Sequence, residues 1–178
     1  MKTRTVIGRY TYGDPEIHGK LAHCYIGAFC SIATNVRIDI GNEHNKDNIS
    51  TFPFNHFFPV QAGHIAGELT CRGDVVIGND VWIGFDTIIL SGSKIGNGAI
   101  IGANSVVRGE IPAYAIAAGS LAKVKSFRFG RKEIKLLEKI RWWDWPEEWL
   151  LKKETIELLM RHDVNELYEY WARNIPRE

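Results

Sequence analysis

His44 is the residue best suited to chemistry in this chain. It stands in a polar stretch, Gly41-Asn42-Glu43-His44-Asn45-Lys46-Asp47, that runs on to Ser50-Thr51-Phe52-Pro53-Phe54. A neutral imidazole takes up a proton near neutral pH, so a positioned histidine can serve as general base to a hydroxyl or amine. Glu43, Asp47 or a backbone carbonyl could each orient the ring, and the spacing leaves the three open. Ser50 and Thr51 lie close in sequence, but a hydroxyl nucleophile would call for its own matched base and oxyanion hole. The bland alternative for an isolated loop histidine is a solvated side chain.

The elements that must hold His44 are written in a period of six. Ile77, Ile83, Ile89, Ile95, Ile101 and Val107 follow one another without a slip, and Cys71 sits one step upstream. Four residues after each comes a small or β-branched side chain: Val75, Val81, Thr87, Ser93, Ala99, Ser105 and Ile111. A six-residue period suits neither a helix nor a half-buried strand, and no helical pattern intervenes between Cys71 and Pro112 to carry ordinary parallel crossovers. It predicts a parallel β-helix of hexapeptides, in which each coil buries its aliphatic residue only by stacking on its neighbours. Glycine and asparagine beside the aliphatic positions, as in Ile77-Gly78-Asn79, Ile83-Gly84, Ile95-Gly96-Asn97-Gly98 and Ile101-Gly102-Ala103-Asn104, are expected to supply positive φ at tight corners. The same phase appears earlier at Ile26, Ile32 and Ile38, with Cys30 and Val36 as the second inward set. Ile7 to Tyr12, with Thr11 inward, is a first coil that Gly13-Asp14-Pro15 breaks.

Between residues 41 and 70 the phase is lost. That stretch is too long and polar for a corner, so it is expected to be an excursion from the solenoid, and long loops on rigid scaffolds usually carry function. The chain then divides into a hexapeptide domain over residues 1–125 and a helical segment over 126–178. In the latter, Ile134, Leu137 and Ile140 suit an amphipathic helix over Lys132–Ile140. Asp144, in Trp142-Trp143-Asp144-Trp145-Pro146, is expected to cap a helix starting near Glu147, and Glu154–Met160 and Val164–Ala172 are read as further helix. These helices are expected to close one open end of the solenoid, with the tryptophans as packing residues rather than a ligand platform.

Composition narrows the partners. The 178 residues are 45% hydrophobic with a formal net charge of +1, and no basic stripe with interleaved aromatics is present, so nucleic acid is not expected. Cys24, Cys30 and Cys71 are odd in number and widely spaced, with Cys30 and Cys71 in inward slots, which suits buried thiols in a reducing compartment. Met1 to Thr5 lack the apolar stretch of a signal peptide and no run is long enough for a membrane span, so a cytoplasmic protein is expected. An ice-binding face would need ranks of outward threonines, whereas Asp80, Trp82, Asp86, Lys94 and Asn104 are mixed.

The His44 block, together with Asp80-Val81-Trp82-Ile83-Gly84, the run from Ile95 to Val107 and Trp142-Trp143-Asp144-Trp145-Pro146, resembles the hexapeptide-repeat xenobiotic acetyltransferases and related sugar O-acetyltransferases. Type B chloramphenicol and streptogramin acetyltransferases are among them. The resemblance covers nearly the whole chain. It implies a left-handed β-helix, a homotrimer, acetyl-CoA as acyl donor, His44 as general base, and direct attack without a covalent intermediate. It also implies a donor groove between subunits, lined by Phe85, Ala103, Arg108, Gly109 and Lys123, with Lys123 facing CoA phosphates. Arg108-Gly109 stands where relatives commonly carry a Thr-Lys pair. No metal is expected: a zinc hydratase of the γ-carbonic anhydrase type shares this fold but takes histidines from successive coils, and none of the six lies between Cys71 and Tyr114.

For the acceptor, Tyr12, Trp82 and Phe54 are the candidate aromatic wall. The short segment between Thr11 and Ile26 and the polar neighbours Asn55, His56 and Gln61 favour a small molecule with sugar hydroxyls. An antibiotic such as chloramphenicol or a streptogramin, or the amine of an amino sugar, is the alternative.

Overall fold

The computed structural model describes residues 3–67 and 69–175, and the chain divides into two compact units, Met1–Lys125 and Ser126–Glu178. Met1 and Lys2 of the leader reading and Glu68 of the excursion lie outside the described residues. No helix among the described residues is long and apolar enough to cross a membrane.

The first unit is built on three sheets that the chain visits in rotation. One joins Thr5–Ile7, Cys24–Ile26, Val75–Ile77, Lys94–Ile95 and Glu110–Ile111. A second joins Ser31–Ile32, Trp82–Ile83, Ile100–Ile101 and Ala115–Ala118, with Lys123–Phe127 at its edge. The third joins Glu16–His18, Arg37–Asp39, Ile88–Ile89 and Val106–Val107. Pairing between the strands of successive coils is parallel, and its register explains the period. Ile95 lies between Ile77 and Ile111, Ile101 between Ile83 and Ala117, and Ile89 between Ile38 and Val107. Each aliphatic residue therefore stacks on its equivalents in the neighbouring strands, and burying one such side chain contributes about 1.5–3 kcal/mol. The second inward set is buried too, and its serine hydroxyls are satisfied locally: Ser93 Oγ donates to the Leu90 carbonyl and Ser105 Oγ to that of Gly102, both at 2.6 Å.

Five expectations are corrected. Ile111, expected in the second inward set, takes the first-set place opposite Ile95, because the chain there is two residues short of the hexad phase. Of the glycines and asparagines beside the aliphatic residues, Gly98 and Asn104 do have positive φ, whereas Gly78, Gly84, Gly96 and Gly102 do not supply it. That conformation falls on Asp80, Asp86, Gly92, Gly98 and Asn104, again six apart. Gly84 and Gly96 are instead places of close approach: a Cβ there would sit 2.5 Å from the backbone nitrogen of Ala103 and 2.4 Å from that of Ala113. Next, Gly13-Asp14-Pro15 does not end the first turn of chain. Glu16–His18 follows it and pairs with Arg37–Asp39, setting Ile17 opposite Ile38. Of the thiols, Cys24 is fully buried alongside Cys30, whereas Cys71 is only half-buried. Finally, Asp144 caps no helix. It lies in the 3-10 turn Trp142–Asp144 and binds Arg141 Nε at 2.6 Å, and Pro146 precedes the helix Glu147–Leu150.

The second unit adds helices Arg131–Ile140, Lys153–Leu159 and Val164–Asn174. Asp163 caps the last, accepting from the Glu166 N–H at 2.9 Å. Trp143 and Trp145 are buried within this unit with Leu137, Ile140 and Leu158, and Trp145 Nε1 donates to the Ile140 carbonyl at 3.0 Å.

Candidate active site

The excursion springs from the corner between the third and first sheets. The chain leaves Arg37–Asp39 through buried Ile40 and through Gly41, whose φ is +111° and where a Cβ would meet that of Cys71 at 2.6 Å. It then forms a two-residue antiparallel ribbon, Glu43 opposite Thr70 and His44 opposite Leu69. Thr70 Oγ1 donates to the Glu43 carbonyl at 3.3 Å, and farther out Asn45 Nδ2 donates to the Gly67 carbonyl at 3.2 Å. The short helices Phe54–Phe57 and Pro59–Ala62 fill the span between the ribbon strands.

His44 Nδ1 lies 2.6 Å from the carbonyl oxygen of Thr51. A carbonyl only accepts, so Nδ1 carries the proton and the neutral ring keeps its lone pair on Nε2. Of the three orienting groups open to the sequence, the backbone carbonyl is the one the fold supplies. The two carboxylates are engaged elsewhere: Asp47 Oδ1 binds Lys46 Nζ at 2.6 Å, and both carboxylate oxygens of Glu43 accept from Ser91 Oγ at 3.0 Å.

His44 opens onto a cavity of about 300 Å³ lined by Glu43, His44, Asn45, Lys46, Asp47, Thr70, Cys71, Arg72 and Arg108. Arg108 of the expected donor set therefore lines the same cavity as His44, and Gly109 follows it with φ +85°. The other candidates are placed elsewhere. Phe85 and Ala103 lie at the corner between the second and third sheets, where the Asn104 N–H donates to the Phe85 carbonyl at 2.9 Å and Gly84 abuts Ala103. Lys123 opens the edge strand of the second sheet. Tyr12 bridges Ser31, and Ser31 pairs with Trp82, which puts both aromatics on the exposed face of the second sheet. Phe54 belongs to an exposed aromatic cluster on the excursion, with its ring centroid 5.0 Å from that of Phe52.

Three participants escaped the sequence: the Thr51 carbonyl, Arg72 and Ser91. None had a signal, since a carbonyl is common to every residue and Ser91 reads like its neighbour Ser93. Burial pushes the Cys24 thiol up to about 11 and raises that of Cys30, which disfavours thiolate nucleophiles at either place. Among the described residues no group of three His, Cys, Asp or Glu side chains could hold a metal ion.

The sequence profile of the bacterial transferase hexapeptide (six repeats) matches residues 74–109. A chloramphenicol acetyltransferase of Agrobacterium fabrum is 38% identical over an alignment covering 93% of this chain and 87% of that protein. The chain belongs to the hexapeptide-repeat acetyltransferases. A probable macrolide acetyltransferase of Lysinibacillus sphaericus is 41% identical to this acetyltransferase over 75% of each chain. Among solved structures, a galactoside acetyltransferase in complex with coenzyme A superposes with a TM-score of 0.55 at 29% identity, covering 72% of this chain and 57% of that one.

Proposed function

We propose that this acetyltransferase carries an acetyl group from acetyl-CoA to a hydroxyl of a saccharide or related small acceptor, with His44 Nε2 as general base. The observation that carries the reading is the 2.6 Å bond from His44 Nδ1 to Thr51, which leaves Nε2 as the acceptor of a proton at the mouth of a cavity. The acceptor oxygen attacks the thioester carbonyl while Nε2 takes its proton; the tetrahedral adduct then collapses, the carbon–sulfur bond breaks, and the imidazolium returns the proton to the CoA thiolate. No enzyme acyl group forms in this sequence.

The three parallel sheets visited in rotation support a left-handed β-helical solenoid, as in the family. A homotrimer completes the site. Within one chain Phe85, Ala103 and Lys123 do not line the cavity that holds His44, as expected if a neighbouring subunit supplies the rest of the donor groove. In that groove the small residues Ala103 and Gly109 admit the pantetheine, and Arg108 and Lys123 meet phosphates. Tyr12, Trp82 and Phe54 provide faces for the acceptor. The working compartment is the cytoplasm.

A saccharide suits a cavity walled by charged and polar side chains, since several hydroxyls can be hydrogen-bonded there without desolvating an apolar ligand. A second reading, an antibiotic hydroxyl, is favoured by the similarity to the Agrobacterium chloramphenicol acetyltransferase. Steady-state CoA release against a panel of saccharides and antibiotics separates the two by kcat/KM. With the better acceptor, His44→Ala is expected to lower kcat by roughly two to four orders of magnitude while acetyl-CoA binding stays within a few fold. Full turnover in that variant would remove His44 from the mechanism.

A further inference from the structure

Ser91 is a residue the hexad pattern does not require. Ile89 and Ser93 hold the two inward positions around it, yet Ser91 is only 1% exposed. Where Ser93 and Ser105 donate to nearby carbonyls at 2.6 Å, Ser91 Oγ reaches out to the excursion. It lies 3.0 Å from each carboxylate oxygen of Glu43 and accepts the backbone N–H of Arg72 at 3.0 Å. The carboxylate cannot donate, so the hydroxyl proton belongs to Glu43 and the lone pair to Arg72. One side chain thereby clasps both stems of the excursion, the outgoing one at Glu43 and the returning one at Arg72.

The next residue after Glu43 is His44, and Arg72 lies just beyond the Leu69–Thr70 strand that pairs with it. The ring's own hydrogen bond, to Thr51, stays inside the excursion and orients the imidazole relative to that loop alone. What fixes the loop relative to the sheets is its root. We propose that Ser91, acting through Glu43 and the Arg72 backbone, is a positioning residue for His44 that sets where Nε2 meets the acceptor hydroxyl. This rests on the assignment of His44 as general base.

Ser91→Ala removes the clasp and leaves the Glu43 carboxylate without its donor. Because a misplacement of about 1 Å can cost on the order of 100-fold in rate, kcat is expected to fall roughly 10- to 100-fold, with KM for acetyl-CoA within about twofold. Glu43→Leu should match it. Glu43→Gln keeps an oxygen for Ser91 to donate to and should stay within a few fold of the parent. The deciding measurement is Ser91→Ala made in the His44→Ala background. A residue that acts through His44 produces no further loss there, whereas a merely structural one produces the same fold-loss in both backgrounds. Equal losses in the two backgrounds, or full kcat in either Ser91→Ala or Glu43→Leu, would overturn the proposal while leaving His44 in place. Full activity in His44→Ala alone would instead overturn the base assignment and the proposal with it. Should Ser91→Ala fold poorly, the Glu43→Leu and Glu43→Gln pair, on a half-exposed residue, decides the question by the same cycle.

Discussion

Gly84→Ala tests whether the glycines of the hexads serve stacking rather than turning. A Cβ at that position would lie 2.5 Å from the backbone nitrogen of Ala103, 2.8 Å from its Cα and 3.0 Å from the carbonyl carbon of Gly102. All three atoms are backbone, so no side chain can rotate away. Ordinary contact begins near 3.4 Å, and the two segments must part by about 1 Å. The Gly84 N–H donates to the Ile101 carbonyl at 2.8 Å and the Asn104 N–H to that of Phe85 at 2.9 Å, and such a shift carries both beyond good hydrogen-bond range. Overpacking costs about 1–3 kcal/mol and each of the two weakened bonds about 0.5–1.5 kcal/mol, which gives a loss of about 2–6 kcal/mol. Gly109→Ala is the control. Its Cβ would meet nothing within 4 Å, so only the left-handed backbone at φ +85° is penalised, at about 1–2 kcal/mol. Urea unfolding at one fixed protein concentration measures both, the concentration being held because assembly would add to apparent stability. If Gly84→Ala lost no more than Gly109→Ala, close approach would not be the reason for glycine at that position.

A thiol-reactive dye at pH 8 is expected to modify Cys71 rapidly in the folded protein and Cys24 and Cys30 only after denaturation, since burial holds the Cys24 thiol up to about 11 and pushes Cys30 the same way; three fast thiols would contradict this. The raised values mean that the unfolded chain ionises these thiols first, so their contribution is complete below about pH 8.5 and declines as pH rises toward about 11 for Cys24; an unchanged urea midpoint between pH 7.5 and 10.5 would count against it. Phe57→Asp, in the exposed aromatic cluster of the excursion, is expected to lower activity in step with loss of the trimer by light scattering, whereas a fully active monomer would refute a site shared between subunits.

The core was legible because an inward residue of this fold meets near copies of itself. Ile77 and Ile95 need only agree in size and phase, and both properties are written in the chain, whereas Ile111 meets Ile95 out of that phase. The glycines were legible as positions but not as causes, because the absence of a Cβ permits close approach as well as positive φ, and only the geometry shows Gly84 using the first and Gly98 sitting at the second. Gly13-Asp14-Pro15 looked like an ending because it breaks the period, but pairing depends on the strand that follows, and Ile17 recovers its place opposite Ile38. Asp144 had the right neighbours for a cap and lost to a closer cation, Arg141. The candidate site is harder to read for a physical reason. Chemistry requires unlike groups to meet, the imidazole with the Thr51 carbonyl seven residues on, the Ser91 hydroxyl with a carboxylate 48 residues away. Neither meeting is set by the register of the sheets, since Glu43, His44 and Thr51 stand outside their strands. His44 could be found because it interrupts the pattern, whereas Ser91 is hidden because it stands inside the pattern and turns its hydroxyl out of it.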